Sequence, residues 1–287
     1  MNVDKSARTA VLGLGIIGSR VRARLVEAGW RVACWNRTPK ALDGETATPE
    51  EAVSGAAVIA IYLKDAPAVS EVVGRIAPFL QAGQIVLNHA TVDLETTKWL
   101  EQICVARACR FLDAPFTGSK VAAGSGQLVY YIGGDAALAG ALEPFLSVTS
   151  RSRLHCGPVG AATVVKLATN LISACTVQAM AESLAITTRH GVSAACLIQA
   201  VAENVSASAL AAMKFPTMVA GNFETHFSLS NMGKDSRYML ALAESAGVAT
   251  PAIQAVSRRM AELCAAGLGD LDYSALAKPY LTDFPVP

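Results

Sequence analysis

The chain has 287 residues, room for about two domains, and is 52% hydrophobic and 16% charged, a composition that excludes a disordered chain. Its formal net charge of +1 leaves no electrostatic footprint for nucleic acid or an anionic membrane. The seven cysteines (Cys34, Cys104, Cys109, Cys156, Cys175, Cys196 and Cys264) form no CxxC pair and sit mostly in apolar runs. They read as reduced core residues of a cytoplasmic protein, not as a metal site.

Taken in chain order, residues 1–9 carry an acid and no apolar run, so no signal peptide is expected. Strands are predicted at 9–12, 31–35, 57–63, 84–87 and 110–112, with 127–132 and 153–154 as candidates for more. Helices are predicted at 16–28, ended by Gly29, and at 94–108. This alternation predicts an α/β domain over 1–160, a Rossmann, doubly wound parallel sheet with crossover helices. Beyond Gly160 the strand signals stop. Apolar residues recur at helical spacing through 161–188, 193–201, 206–218, 234–246 and 251–266, punctuated by Gly191, Gly221, Gly247 and Gly267. An all-α domain is therefore expected over 161–287, joined to the first by a long interdomain helix. Its opening run, 161–187, is the most membrane-like stretch. Lys166 and Glu182 interrupt it with 15 residues between them, short of the roughly 20 apolar residues a span needs. It reads as a buried core helix.

Between the first strand and the first helix stands Gly13-Leu14-Gly15-Ile16-Ile17-Gly18, a GxGxxG run in the strand–turn–helix setting that a dinucleotide site requires. Gly13 permits the tight turn, Gly15 the approach of the pyrophosphate, and Gly18 close helix–sheet packing, with the helix N-terminus offering N–H groups to the phosphates. The second strand ends in Asn36-Arg37-Thr38, where an NAD site usually carries Asp or Glu for the ribose 2′-hydroxyl. A carboxylate would repel a 2′-phosphate. Arg37 meets one with a charge-assisted contact and Thr38 adds a hydroxyl, so NADP(H) is the expected cofactor.

Lys166 and Asn170 lie four residues apart on one face of a predicted helix in the otherwise apolar run VVKLATNLI. By itself this leaves two readings open, a lysine snorkelling to the surface or one held at a site. Thr117-Gly118-Ser119, after a strand end, offers hydroxyls and backbone N–H groups of the kind that form anion nests.

The chain resembles the β-hydroxyacid dehydrogenase family over nearly its full length. The resemblance is carried by Gly13–Gly18, by Asp113-Ala114-Pro115-Phe116-Thr117-Gly118-Ser119, by Gly160 with Lys166 and Asn170, and by Lys234-Asp235. It implies that Lys166 is the catalytic acid/base and that Asn170 helps hold the substrate. Thr117, Gly118 and Ser119 align with the family's substrate loop, Thr117 replacing the usual serine and adding a methyl to the pocket. Thr91 aligns with a hydroxyl near the nicotinamide, although Asn88-His89-Ala90 replaces the usual run before it. Lys234 aligns with a residue reaching the cofactor, and Asp235 with one that orients a lysine. Phe227 aligns with an aromatic beside the nicotinamide, and Leu63 with a backbone contact on the adenosine side. A lone loop histidine such as His89 reads as structural rather than as a proton shuttle.

Two stretches, Thr117-Gly118-Ser119-Lys120 with Gly126-Gln127-Leu128, and Gly267 to Ser274, look most like the glyoxylate/succinic semialdehyde reductases of that family. The resemblance implies NADPH-dependent reduction of a small aldehyde or 2-oxo acid bearing a carboxylate. Two alternatives compete with it, an imine reductase of the related two-domain group and a non-catalytic NADP-binding scaffold; the retained Lys166 argues against both. A homodimer or homotetramer through the helical domain is expected, because a helix apolar on most faces needs covering.

Overall fold

The computed structural model describes residues 3–283. The chain divides into two compact units inside one long helix, the first ending at Lys166 and the second starting at Leu167.

In the first unit the elements follow in the order β1 (Arg8–Leu12), α1 (Gly18–Glu27), β2 (Arg31–Trp35), α2 (Pro49–Val53), β3 (Val58–Ile61), α3 (Ala66–Ile76), β4 (Ile85–Asn88), α4 (Leu94–Ala106), β5 (Arg110–Asp113), β6 (Phe116–Thr117), α5 (Lys120–Gly124), β7 (Leu128–Gly134), α6 (Ala136–Ala141), α7 (Glu143–Leu146) and β8 (Ser150–Gly157), before α8 (Ala161–Arg189) begins. The strands form one sheet in the order β2-β1-β3-β4-β5-β7-β6, with β8 on β7. β3 and β4 are buried at every position, as strands covered on both faces must be. The chain reverses its direction of travel between β1 and β3, the switch point where such sheets open a ligand crevice. Register sharpens this. Leu12 lies opposite Ile61, Ile61 opposite Asn88, and Asn88 opposite Asp113. Four strands thus end level, and their loops emerge together along one edge.

The Rossmann architecture expected from the sequence is present, but the sheet is mixed rather than wholly parallel. β7 runs antiparallel to both β5 and β6. The connection from β5 to β7 is taken up by β6 and the five-residue α5. No full crossover helix carries the chain back to the far edge, so it turns and pairs antiparallel. The candidate strand at 153–154 extends to all of β8, only one of whose residues is buried, and that hides it from hydrophobic patterning.

The second unit is helical throughout: the rest of α8, then α9 (Ala194–Ala202), α10 (Ala209–Val219), α11 (Leu229–Ser245) and α12 (Pro251–Leu263). A wider turn at Cys264–Leu268 follows, broken by Gly267 at φ +84°, and then a 3-10 segment at Tyr273–Asp283 that the periodicity did not signal. Its core joins Leu167, Ala174, Val177 and Leu184 of α8 to Phe215, Met232, Ile253 and Met260. Two helix starts differ from expectation, and hydroxyl caps explain both. Ser208 Oγ accepts from Ala211 N–H at 3.1 Å, so α10 starts at Ala209. Ser228 Oγ accepts from Asn231 N–H at 3.2 Å, so α11 starts at Leu229 and Lys234 falls in its second turn. Each cap fills an orphan helix donor and outranks the first apolar residue as a boundary. The cysteine expectation also needs correction. All seven are free, but only Cys34, Cys104 and Cys109 are buried, and Cys196 on α9 is exposed. α9 fully buries none of its residues; Leu197, Ile198 and Val201 pack against the core while partly exposed.

Candidate active site

The glycine turn after β1 separates what the fold needs from what a ligand needs. Gly13 sits at φ +96°, and a Cβ there would stand 2.4 Å from the Tyr62 carbonyl oxygen and 3.1 Å from Leu63 Cδ2. A Cβ at Gly18 would stand 1.9 Å from the Gly13 oxygen. Both glycines are required by the protein itself. Gly15 is not: its φ is not positive and a Cβ would meet nothing within 4 Å. Among the described residues, the N–H groups of Gly15, Ile16 and Ile17 donate to no backbone acceptor. A bare backbone with open donors at a helix N-terminus is the form a dinucleotide cradle takes, so these residues fit the cofactor that the motif implies.

Asn36 supports this turn from β2. Its Oδ1 accepts from Leu14 N–H at 2.8 Å and its Nδ2 donates to the Thr38 oxygen at 2.7 Å. Both ends of the amide are therefore engaged in shaping the loop. Arg37 and Thr38 are exposed beyond it. Leu63 packs its side chain beside Gly13, and Thr91 is half-buried after β4.

His89 lies beneath this edge. It is fully buried, stacks on Tyr62 with ring centroids 4.5 Å apart, and donates Nδ1–H to the Ala114 oxygen at 2.7 Å. Burial pushes its pKa down to about 4, so it is neutral at physiological pH. The Tyr62 and Tyr130 hydroxyls meet at 2.8 Å, and Tyr130 reaches Thr149 at 2.9 Å. Sequence reading did not anticipate this aromatic and hydroxyl cluster, because its members come from the residues just after β3 and β4, from β7 and from the turn before β8.

The Thr117-Gly118-Ser119 turn leaves β6 with Gly118 at φ +135°, where a Cβ would press on Leu128 Cδ2 at 2.8 Å. Ser119 Oγ accepts from Ala122 N–H at 3.4 Å, capping α5, so its hydroxyl fixes the loop. At the start of α8, Thr163 is bound to the buried Asp113, and Lys166 follows one turn on, only 8% exposed.

In the second unit Asn170 is equally buried and donates Nδ2–H to Asp235 Oδ2 at 2.8 Å. Asp235, fully buried, also pairs with Lys234 Nζ at 2.9 Å, so it orients Lys234 and the asparagine amide together. Lys234 lies 5.2 Å from the Tyr238 ring. Phe227 packs edge-on against Tyr273, with centroids 6.2 Å apart. Behind it is a second buried pair that sequence reading missed. Lys214 Nζ donates to Asp272 Oδ1 at 2.6 Å, while Asp272 Oδ2 accepts from His226 and Phe227 N–H groups. The Asp272 carboxyl is itself desolvated, yet its hydrogen bonds from Lys214 and Ser274 hold it below the usual carboxylate range.

Comparison with known proteins finds matches to both parts of the chain. Residues 8–160 match the model of the NAD-binding domain of 6-phosphogluconate dehydrogenase, and residues 160–280 match the NAD-binding domain of NADP-dependent 3-hydroxyisobutyrate dehydrogenase. The chain is 29% identical over 275 residues to glyoxylate/succinic semialdehyde reductase 1 of Arabidopsis thaliana, covering 92% of this chain and 95% of that one. It is also 29% identical over 280 residues to the human cytokine-like nuclear factor N-PAC, of which it spans 51%, with 94% of this chain aligned. The structure of a Mycobacterium tuberculosis 3-hydroxyisobutyrate dehydrogenase with L-serine superposes with a TM-score of 0.89 at 23% identity, covering 95% of this chain and 98% of that one.

Proposed function

The chain is an NAD(P)-dependent oxidoreductase of the β-hydroxyacid dehydrogenase family, and from that membership we propose that it uses NADPH to reduce a small aldehyde or 2-oxo acid bearing a carboxylate, of the glyoxylate or succinic semialdehyde type. The observation that carries this reading is the burial of Lys166, with Asn170 one turn further along the same helix.

When bound, NADPH supplies a hydride to the carbonyl carbon. Lys166 does the rest of the chemistry. Its ammonium hydrogen-bonds the carbonyl oxygen, stabilises the negative charge that grows there, and transfers a proton to make the hydroxyl. Asn170 steadies the substrate, because Asp235 fixes which way its amide faces. Thr117 and Gly118 receive the substrate carboxylate through a hydroxyl and an N–H, with Ser119 holding the turn in shape. The glycine turn of the first unit would hold the pyrophosphate and Arg37 the 2′-phosphate, with Leu63 and Thr91 beside them, and the family resemblance assigns Phe227 and Lys234 to the same cofactor. The second unit supplies substrate contacts and the subunit interface of a dimer or tetramer, a role suited to Ile172 and Ile186, which α8 leaves largely exposed.

NADPH consumption with glyoxylate, succinic semialdehyde and a cyclic imine tests the reading. Turnover of one of the carbonyl compounds is expected. Lys166→Ala then lowers kcat by at least about 100-fold with NADPH affinity unchanged, and Arg37→Asp weakens NADPH far more than NADH. Turnover of the imine alone moves the assignment to imine reduction, and NADPH binding without turnover moves it to a scaffold.

A further inference from the structure

Asp113 belongs to a motif that carries the family resemblance, yet the chemistry above leaves it without a task. It ends β5, is fully buried, and faces the first turn of α8. Its Oδ2 accepts from Thr163 N–H at 3.0 Å and from the Thr163 hydroxyl at 3.1 Å. Thr97 of α4 supports the same point, its hydroxyl 2.9 Å from that of Thr163. Space for the carboxylate is kept by missing side chains: a Cβ on Gly133 would stand 2.1 Å from Asp113 Oδ1.

Helix N-termini present N–H groups without intrahelical acceptors, and a carboxylate there meets both those donors and the positive end of the helix dipole. The cap ordinarily comes from the residue just before the helix. Here that residue is Gly160, which has no side chain, and the first turn of α8 contains no acid. The cap is delivered instead by a strand 50 residues away. Thr163 precedes Lys166 by three positions, so the two are neighbours on one helix face. α8 is apolar on most of its surface, and packing gives such a helix little preference for one rotation about its axis. A buried polar contact does give one.

We propose that Asp113 is a positioning residue for Lys166: by gripping Thr163 it sets the rotation and axial place of the first turns of α8, and so the point from which the lysine delivers its proton. The inference rests on Lys166 being the proton donor, as proposed above.

The test combines kinetics with the reactivity of Lys166 towards an amine-acylating reagent, mapped by mass spectrometry, which needs neither substrate nor cofactor. Asp113→Ala is expected to lower kcat on the order of 10- to 100-fold, the cost of a misplaced catalytic group, to leave the NADPH dissociation constant within about twofold, and to raise Lys166 labelling. Asp113→Asn keeps an oxygen where Thr163 donates and is expected to recover most of kcat and the low labelling. Unchanged labelling in Asp113→Ala overturns the inference, as does an Asn variant impaired as badly as the Ala variant, or a loss that falls on NADPH affinity as heavily as on kcat. Should Asp113→Ala fail to fold, Thr163→Val, which removes only the hydroxyl, decides: increased labelling with lower kcat supports the inference, and no change in either overturns it. Full activity in Lys166→Ala would instead defeat the proton-donor reading, while labelling still reports whether Asp113 holds the lysine.

Discussion

Gly15 has no neighbour to avoid. Gly13 and Gly18 lack side chains because the Tyr62 and Gly13 carbonyl oxygens stand where a Cβ would go, whereas the position above Gly15 is open. The three glycines of one motif thus differ in cause: two are required by the fold, and the third is the one we assign to a ligand. Gly15→Ala is expected to melt at the parent temperature while binding NADPH at least about 10-fold more weakly, and Gly18→Ala to melt well below it. Thermal melts and a fluorescence titration read both, and parent-like NADPH binding by Gly15→Ala would remove the glycine turn from the cofactor site. The motif was legible in the sequence because its spacing is local. The part played by Asn36 was not. The sequence assigns it to the ribose end of the cofactor; the fold adds that its amide also braces the turn through Leu14 and Thr38, and the first of those contacts joins residues 22 positions apart.

At the scale of elements, hydrophobic periodicity located the helices of the second unit but not what ties their ends together. The segment carrying Phe227 is held by Asp272, whose oxygens accept from His226 and Phe227 N–H groups, from Ser274, and from Lys214 on α10. Lys214 lies within the predicted helical run 206–218, which says nothing of its partner; in the fold it is 3% exposed and 4.5 Å from the Tyr273 ring. Removing one member of a buried pair strands the other. Lys214→Met is therefore expected to cost roughly 3 kcal/mol in unfolding free energy by urea titration; a loss under about 1 kcal/mol would mean that the backbone donors alone satisfy Asp272. The start of α11 teaches the same lesson. Lys234 and Asp235 look like a helix-start pair, but the cap at Ser228 places them a turn deeper, where Asp235 is buried between Lys234 and Asn170.

At the scale of the whole molecule, the first unit contains a buried histidine that resists protonation. The folded pKa of His89 is about 4 against an ordinary 6.5, so the unfolded chain takes up the proton first as pH falls. The stability contributed by keeping His89 neutral is complete above pH 6.5 and is lost as pH falls to about 4, a difference of about 3 kcal/mol. Asp113, whose carboxyl burial raises, acts in the opposite direction in the acid range. Comparing the parent with His89→Phe in denaturant titrations at several pH values isolates the histidine: the variant is expected to lose less stability between neutrality and pH 4, and equal losses would show that His89 is not what couples stability to pH. Sequence by itself determined the two-part α/β-then-α architecture, the glycine turn, and the apolar helix bearing Lys166 and Asn170. Each of these is written in local spacing: period two, period 3.6, and glycines at turns. Only the tertiary structure decided the mixed direction of the sheet, the cap of Asp113 on α8, the grip of Asp235 on Asn170, and the Lys214–Asp272 pair. The polar contacts among these join side chains 50, 65 and 58 positions apart. At such separations no local rule of backbone or periodicity links one residue to another, and the partners are chosen by which buried polar groups the packed elements bring within hydrogen-bond reach.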